Sequence, residues 1–207
     1  MREDRRARRA AEIEDAAYAV LEAKGYDGLT MLAVAKAAKA SNETLYRWYG
    51  DKSGLFEALI RRNTEGVLAQ LNECKGASAA QTLDRVGQVL LAMLLGPRAV
   101  ALNRAAAADG SGVLGALLAE TGRGVVGPWI AGVMQRGIAE GQLGDHDPRQ
   151  MTERYFSLLI GDAQVRRVTG AITEPTADWI AARTKAAMHD FLILHGPADL
   201  DAGGAKA

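Results

Sequence analysis

Between residues 28 and 52 lies a group of polar side chains whose types and spacing suit contact with a polyanion. Asn42, Thr44, Tyr46 and Arg47 can all hydrogen-bond phosphate oxygens or base edges, and they fall on the face of a short helical run opposite Leu45, Trp48 and Tyr49. The apolar side gives the run something to be held by. Ser41 precedes it as a good N-cap, and Thr30 opens an earlier run, Met31, Val34, Ala35 and Ala38, in the same way. Two short helices separated by a tight turn can lay the second in a DNA groove. Asp51 is placed to cap a further helix beginning at Lys52, where an ammonium and free backbone N–H groups point the same way and make an anion site.

This stretch resembles the DNA-binding module of the TetR family of transcriptional regulators. The resemblance is carried by Thr30, Ala35, Ala38, Ser41, Thr44, Leu45, Tyr46, Tyr49 in the place of the usual Phe, and Lys52. It implies that Thr44, Tyr46, Trp48 and Lys52 lie at the DNA backbone or groove edge, with Leu45 and Tyr49 in the core. Two residues depart from the pattern. Lys39 stands where the family usually has Gly in the turn, and Glu43 puts a negative charge at the start of the recognition helix. A Lys in a left-handed turn costs roughly 1–2 kcal/mol, so either the turn differs or a gain on DNA offsets it. Glu43 either accepts from a cytosine amino group or simply favours its helix N-terminus. The expected DNA-contacting set is therefore Thr30, Lys39, Ser41, Asn42, Glu43, Thr44, Tyr46, Arg47, Trp48 and Lys52.

The elements that must position these residues follow from length and composition. With 207 residues the chain is far longer than one helix-turn-helix needs, so a second, larger module with its own core is expected. Its Ala- and Leu-rich composition predicts an all-α fold: an N-terminal three-helix helix-turn-helix DNA-binding domain, then a larger helical ligand-binding and dimerisation domain. The expected boundaries are 1–66, 67–199 and a frayed tail over 200–207. Helix 1 is expected from about Arg9 to Ala23, with Ile13, Ala17, Val20 and Leu21 inward and a stop at Lys24-Gly25. A long helix starts around Leu55 and Phe56 and continues past Val67 and Leu71. A loop is expected over Gly76 to Ala80, and then an apolar helix ending at Gly96-Pro97. Further helices are read at 98–108, 113–141 with a kink at Gly127-Pro128, 148–168 after the Asp147 cap, and 176–195.

Charge is evenly balanced, 25 basic against 25 acidic residues, so any pull toward DNA must be local. Arg2, Arg5, Arg6, Arg8 and Arg9 outweigh Glu3 and Asp4 at the N-terminus, and Lys36, Lys39, Arg47 and Lys52 surround the motif. Acidic residues beyond a Debye length, roughly 8–10 Å, do not cancel that field. The arm either follows a phosphate strand or the minor groove, or is a solvated tail. Cys74 is the only cysteine, which excludes an intrachain disulfide and fits a reducing cytoplasm. No apolar region follows the basic start and no stretch approaches a membrane span, so a soluble cytoplasmic protein without a membrane partner is expected.

The last two long helices carry Met151, Tyr155, Leu158, Leu159 and Val165, then Trp179, Ile180, Ala187, Phe191 and Leu194, at helical spacings. The resemblance implies that such a pair meets its symmetry mate in a four-helix bundle; the plainer reading is intrachain core. Gly161 would allow close approach there, and Asp162 would pair with Arg166 one turn on. The resemblance also implies a small-molecule effector. Met93, Arg104, Trp129, Met134, Tyr155 and Phe156 are the residues that can line its cavity, and they suit an apolar or aromatic ligand, with Arg104 either holding a carboxylate or forming a surface salt bridge. This half is similar to the AefR-like C-terminal type.

Catalysis has little support. His146, His189 and His195 lack metal-ligand spacing, and no nucleophile elbow or phosphate-binding loop is present. Asp145-His146-Asp147 reads as a capping turn, and no metal, cofactor or enzyme activity is expected. The sequence thus points to a ligand-responsive, homodimeric repressor on a pseudo-palindromic operator. The alternatives are a helical small-molecule-binding protein or enzyme with a vestigial motif, and a mainly structural dimerising protein.

Overall fold

Helical spacing dominates the sequence, and in the computed structural model every regular element among the described residues is helical. The structure describes residues 2–72 and 78–197, with side chains from Asp4 onward. Cys74, residues 76–77 of the loop expected over Gly76 to Ala80 and the tail over 200–207 lie outside the described residues, while Ala79 and Ala80 of that loop already belong to a helix. In chain order the helices are α1 (Arg2–Gly28), α2 (Met31–Ala37), α3 (Asn42–Tyr49), α4 (Lys52–Asn72), α5 (Ala79–Leu95) and α6 (Pro97–Ala108). They continue as α7 (Val113–Leu118), a π turn (Ala119–Arg123), α8 (Gly124–Ala139), α9 (Pro148–Ile160), α10 (Ala163–Thr169) and α11 (Ala177–His195). None is by itself long and apolar enough to cross a membrane.

The chain divides into two compact units. The first combines Met1–Glu65 with Pro97–Arg123. Its core joins Ile13, Ala17 and Leu21 of α1 to Val34, Leu45, Phe56 and Leu59, and also to Ala101, Leu102, Ala105 and Leu114. Residues 97–123, grouped with the second module on sequence grounds, thus pack with the first unit. α1 begins earlier than expected, so the basic arm forms its opening turns. Gly25, the expected stop, breaks the helix at φ 66°, a conformation glycine adopts without steric cost. Ahead of α7, where Gly112 has no side chain to cap with, Asp109 Oδ2 accepts from Leu114 N at 2.9 Å.

The second unit, Gly66–Gly96 with Gly124–Ala207, wraps α8, α9 and α11 around α5. α5 starts on a reciprocal capping box between Ser78 and Gln81, and buries Leu83, Val86, Leu90 and Leu91 against Ile130, Met134, Tyr155 and Phe191. Each such side chain stabilises the fold by about 1.5–3 kcal/mol on burial.

Two expected helices are interrupted elsewhere than predicted. The run over 113–141 breaks in the π turn at 119–123, whereas Pro128 sits inside α8. The ladder thus leaves α geometry one turn ahead of Pro128, which has no N–H to donate within α8. The run over 148–168 is two helices, because Gly161 turns left-handed at φ 52°. There Arg183 donates through Nε to the Leu159 carbonyl at 2.9 Å and through Nη2 to that of Leu158 at 2.6 Å, capping α9 from α11. Gly161 therefore ends a helix and is exposed within the protomer. Asp162 is likewise exposed in the break, where water solvates it without the expected Arg166 partner.

Much of the apolar stripe on the last helices is intrachain core. Met151, Tyr155, Leu159, Ala187 and Phe191 are buried, and Leu158 and Ile180 are half-buried. Val165, Trp179, Ile193 and Leu194 remain exposed, Ile193 by 71%. On α11 the exposed positions Trp179, Ala182, Ala186, His189 and Ile193 follow each other at steps of three and four, a narrow, mostly apolar or small-residue stripe.

Candidate nucleic-acid interface

The expected helix-turn-helix forms in the first unit. Thr30 Oγ1 accepts from Ala33 N at 3.1 Å to cap α2, and Ser41 Oγ accepts from Thr44 N at 3.1 Å to cap α3. Ser41 and Thr44 also share a hydroxyl hydrogen bond of 2.8 Å, so both hydroxyls have local work before any ligand arrives. Leu45 is fully buried and fixes the inner face of α3. Tyr49 is half-buried, and its hydroxyl donates to Glu14 Oε1 at 3.3 Å. Burial pushes the Glu14 carboxyl above the usual carboxylate range, with the Arg62 guanidinium at 3.4 Å opposing that rise. Arg62 also donates to the Ala11 carbonyl at 2.9 Å, so the tail of α3 is tied through Glu14 and Arg62 to α1 and α4.

The outer face of α3 is open. Asn42, Glu43, Tyr46 and Arg47 are exposed, and Thr44 is half-buried. Glu43 and Arg47 form an i,i+4 pair at 3.9 Å, exposed enough that it contributes little to stability. Trp48 is half-buried, with the Arg6 guanidinium 5.6 Å from its ring centroid, which lays the start of α1 against the end of α3. Lys52 opens α4 as expected, and Asp51 Oδ1 accepts from Gly54 N at 2.8 Å. Its ammonium, however, lies 3.6 Å from the centroid of Tyr26, and partial burial pulls its pKa below the ordinary lysine value, with Asp27 opposing. Lys52, expected to open an anion site, thus rests on an aromatic ring that sequence spacing did not reveal.

Of the two readings of the turn between the helices, the left-handed one holds. Lys39 has φ 50°, the only positive φ at a non-glycine residue among those described. Ala40 N bonds the Ala35 carbonyl at 2.9 Å and Lys39 N that of Lys36 at 3.3 Å, the Schellman pattern that requires a left-handed residue at this place. Arg9, expected only as part of a charged arm, reaches into this turn: Nη2 donates to the carbonyls of Ala38 and Lys39, each at 2.9 Å. A signal for it existed, since Arg9 stands four and eight residues before Ile13 and Ala17 on the inward stripe of α1.

The six residues expected to line an effector cavity separate. Met134, Tyr155 and Phe156 are buried in the second unit, with Met93 and Trp129 half-buried against the same core. Tyr155 donates its hydroxyl to the Leu83 carbonyl at 2.6 Å, and Trp129 Nε1 donates to Asn72 Oδ1 at 3.4 Å. Arg104 is exposed on α6 and belongs to the first unit. His146 and His195 come together with ring centroids 4.9 Å apart, which their separation in sequence did not suggest. His195 is buried, and Arg154 Nη1 lies 3.3 Å from its Nε2. Among the described residues no group of three or more His, Cys, Asp or Glu side chains is arranged to hold a metal.

Comparison with known proteins covers both units. Residues 13–59 match the family described as bacterial regulatory proteins, tetR family, and residues 81–197 match the AefR-like transcriptional repressor, C-terminal domain. The chain is 32% identical over 92 residues to the HTH-type transcriptional regulator BetI of Paraburkholderia phymatum, a stretch covering 44% of this chain and 45% of that protein. The crystal structure of a TetR transcriptional regulator from Agrobacterium tumefaciens superposes with a TM-score of 0.77 at 30% identity, covering 94% of this chain and 97% of that one. The flavonoid-responsive regulator FrrA superposes at 0.69 with 25% identity, covering 93% and 99%.

Proposed function

Since the chain belongs to the TetR family and is a transcriptional regulator, we propose that it is a ligand-responsive repressor that binds a pseudo-palindromic operator as a homodimer. The observation that carries the DNA-binding part is α3 itself: capped by Ser41, anchored by buried Leu45, and presenting Asn42, Tyr46 and Arg47 to solvent. Two such helices enter successive major grooves, with half-sites about 34 Å apart. Tyr46, Lys39 and Lys52 position the protein on phosphates, while Thr44 and Arg47 read base edges. The DNA-binding domain is centred on residues 1–66, and the effector acts on the region beyond it.

The homodimer forms through α11 and its neighbours, where the exposed stripe from Trp179 to Ile193 would otherwise face water. Effector response is supported by the resemblance to a regulator named for its response to flavonoids, and by the aromatic group of Trp129, Tyr155 and Phe156. Such an effector, apolar or aromatic, lowers operator affinity by the coupling free energy between the sites, typically about 1–3 kcal/mol. The protein works in the cytoplasm by binding alone, without catalysis.

Selection of duplexes from fragmented genomic DNA, followed by anisotropy titrations at several salt concentrations, tests this reading. Enrichment of a palindromic sequence bound with a steep salt dependence is expected. Absence of any salt-dependent duplex binding would overturn it in favour of a small-molecule-binding protein whose motif no longer functions.

A further inference from the structure

We infer that Arg9 is a positioning residue for the recognition helix, holding the left-handed Lys39 turn in the geometry from which α3 meets DNA. The inference rests on the proposal that α3 enters a groove. The Schellman bonds of α2 use the carbonyls of Ala35 and Lys36, but those of Ala38 and Lys39 point out of the turn. One nitrogen of Arg9 bonds both, at 2.9 Å each, and its cation sits at the negative end of α2. Its other terminal nitrogen donates to Glu12 Oε2 at 2.6 Å. The guanidinium is thus committed to protein acceptors and half-buried, and is not offered to phosphate. A glycine in the turn would need no such restraint. Lys39 does, because its Cβ disfavours the left-handed region that the turn demands. Arg9 and Lys39 therefore form one device: a side chain from α1 stabilises a turn that residue 39 alone would leave.

The test is a double-mutant cycle of Arg9→Ala and Lys39→Gly, read on a duplex selected with the wild-type chain and on an unrelated duplex. With Lys39 in place, Arg9→Ala should weaken binding to the selected duplex about ten-fold, a fraction of what its two charged hydrogen bonds to the turn can supply. In the Lys39→Gly background the same change should cost less than about two-fold, because glycine keeps the turn by itself. Salt dependence should not change with Arg9. A log–log slope reduced by about one, with equal loss on both duplexes and in both backgrounds, would make Arg9 a phosphate ligand and overturn the inference. So would no effect in either background. Should Arg9→Ala unfold the chain that keeps Lys39 but not the Lys39→Gly variant, the device stands; unfolding in both would reduce Arg9 to a general structural residue. If the wild-type chain binds no duplex, the reading of α3 fails separately, and thermal melting of the same four proteins decides the device. A larger drop in melting temperature from Arg9→Ala with Lys39 in place supports it, and equal drops overturn it.

Discussion

Lys39 shows how one side chain can answer to two demands. Its left-handed backbone costs roughly 1–2 kcal/mol relative to an unstrained residue, while its ammonium projects from the turn that leads into α3. Lys39→Gly should therefore preserve or raise the melting temperature, since relief of the Cβ clash outweighs the extra freedom of the unfolded chain. DNA binding should weaken at the same time, with the salt slope lower by about one. A melting temperature that falls while affinity holds would contradict both halves. Lys52→Ala should weaken binding to all duplexes alike, and should also cost about 0.5–1 kcal/mol of stability, because the ammonium leaves the face of Tyr26. Tyr46→Phe, at an exposed hydroxyl, should lower affinity without touching stability. The caps Thr30, Ser41, Asp51 and Asp147 were legible in the sequence because the backbone N–H groups they accept from lie within three residues of the cap. For Arg9 the stripe of α1 marks the face it lies on but not its partners, and for Tyr26 nothing local marks Lys52, because in both cases the partner stands about thirty residues away in chain and only folding brings it near.

Helix order was legible from apolar spacing, but helix ends were legible only where a local residue fixes them. Gly25 and Pro148 did so. The break at Gly161 did not, because a guanidinium from α11 completes the end of α9 and no pattern in residues 148–168 announces it. Arg183→Ala should therefore destabilise the second unit by about 1.5–3 kcal/mol, and Arg183→Lys, lacking the planar fork, should recover little of it. Gly161→Ala should also destabilise, since its φ is 52° and an added Cβ would come within 2.8 Å of Arg183 Nη2. Thermal melts of the three variants check this. Dimerisation is best probed at Ala186, exposed in the middle of the α11 stripe, where a substitution leaves the protomer core untouched. Ala186→Arg should give folded monomers by sedimentation and lose tight binding to a palindromic duplex. A variant that remains dimeric would move the interface elsewhere.

At the scale of the molecule, stability should depend on pH through His195. Burial, with help from His146 and Arg154, holds its imidazole below the ordinary histidine value. The unfolded chain then binds the proton more readily, so this contribution to stability is complete above about pH 6.5 and is lost as pH falls through the lower folded value. Melting temperature should drop more between about pH 7.5 and pH 5.5 in the wild-type chain than in His195→Leu; parallel curves would remove His195 from the account. All-α architecture was readable from composition, but the grouping of helices was not, because α6 carries an apolar face like the helices of the second unit and periodicity does not say which core a helix joins. The first unit is assembled from two separate lengths of chain, with Ala101, Leu102, Ala105 and Leu114 filling one wall of its interior. A reading head of this kind is not a detachable cassette. Grafting residues 1–66 onto another regulator's body would leave that wall open to water, so recombination that trades DNA specificity between such proteins has to carry two crossover segments together, or rebuild the missing wall from the recipient.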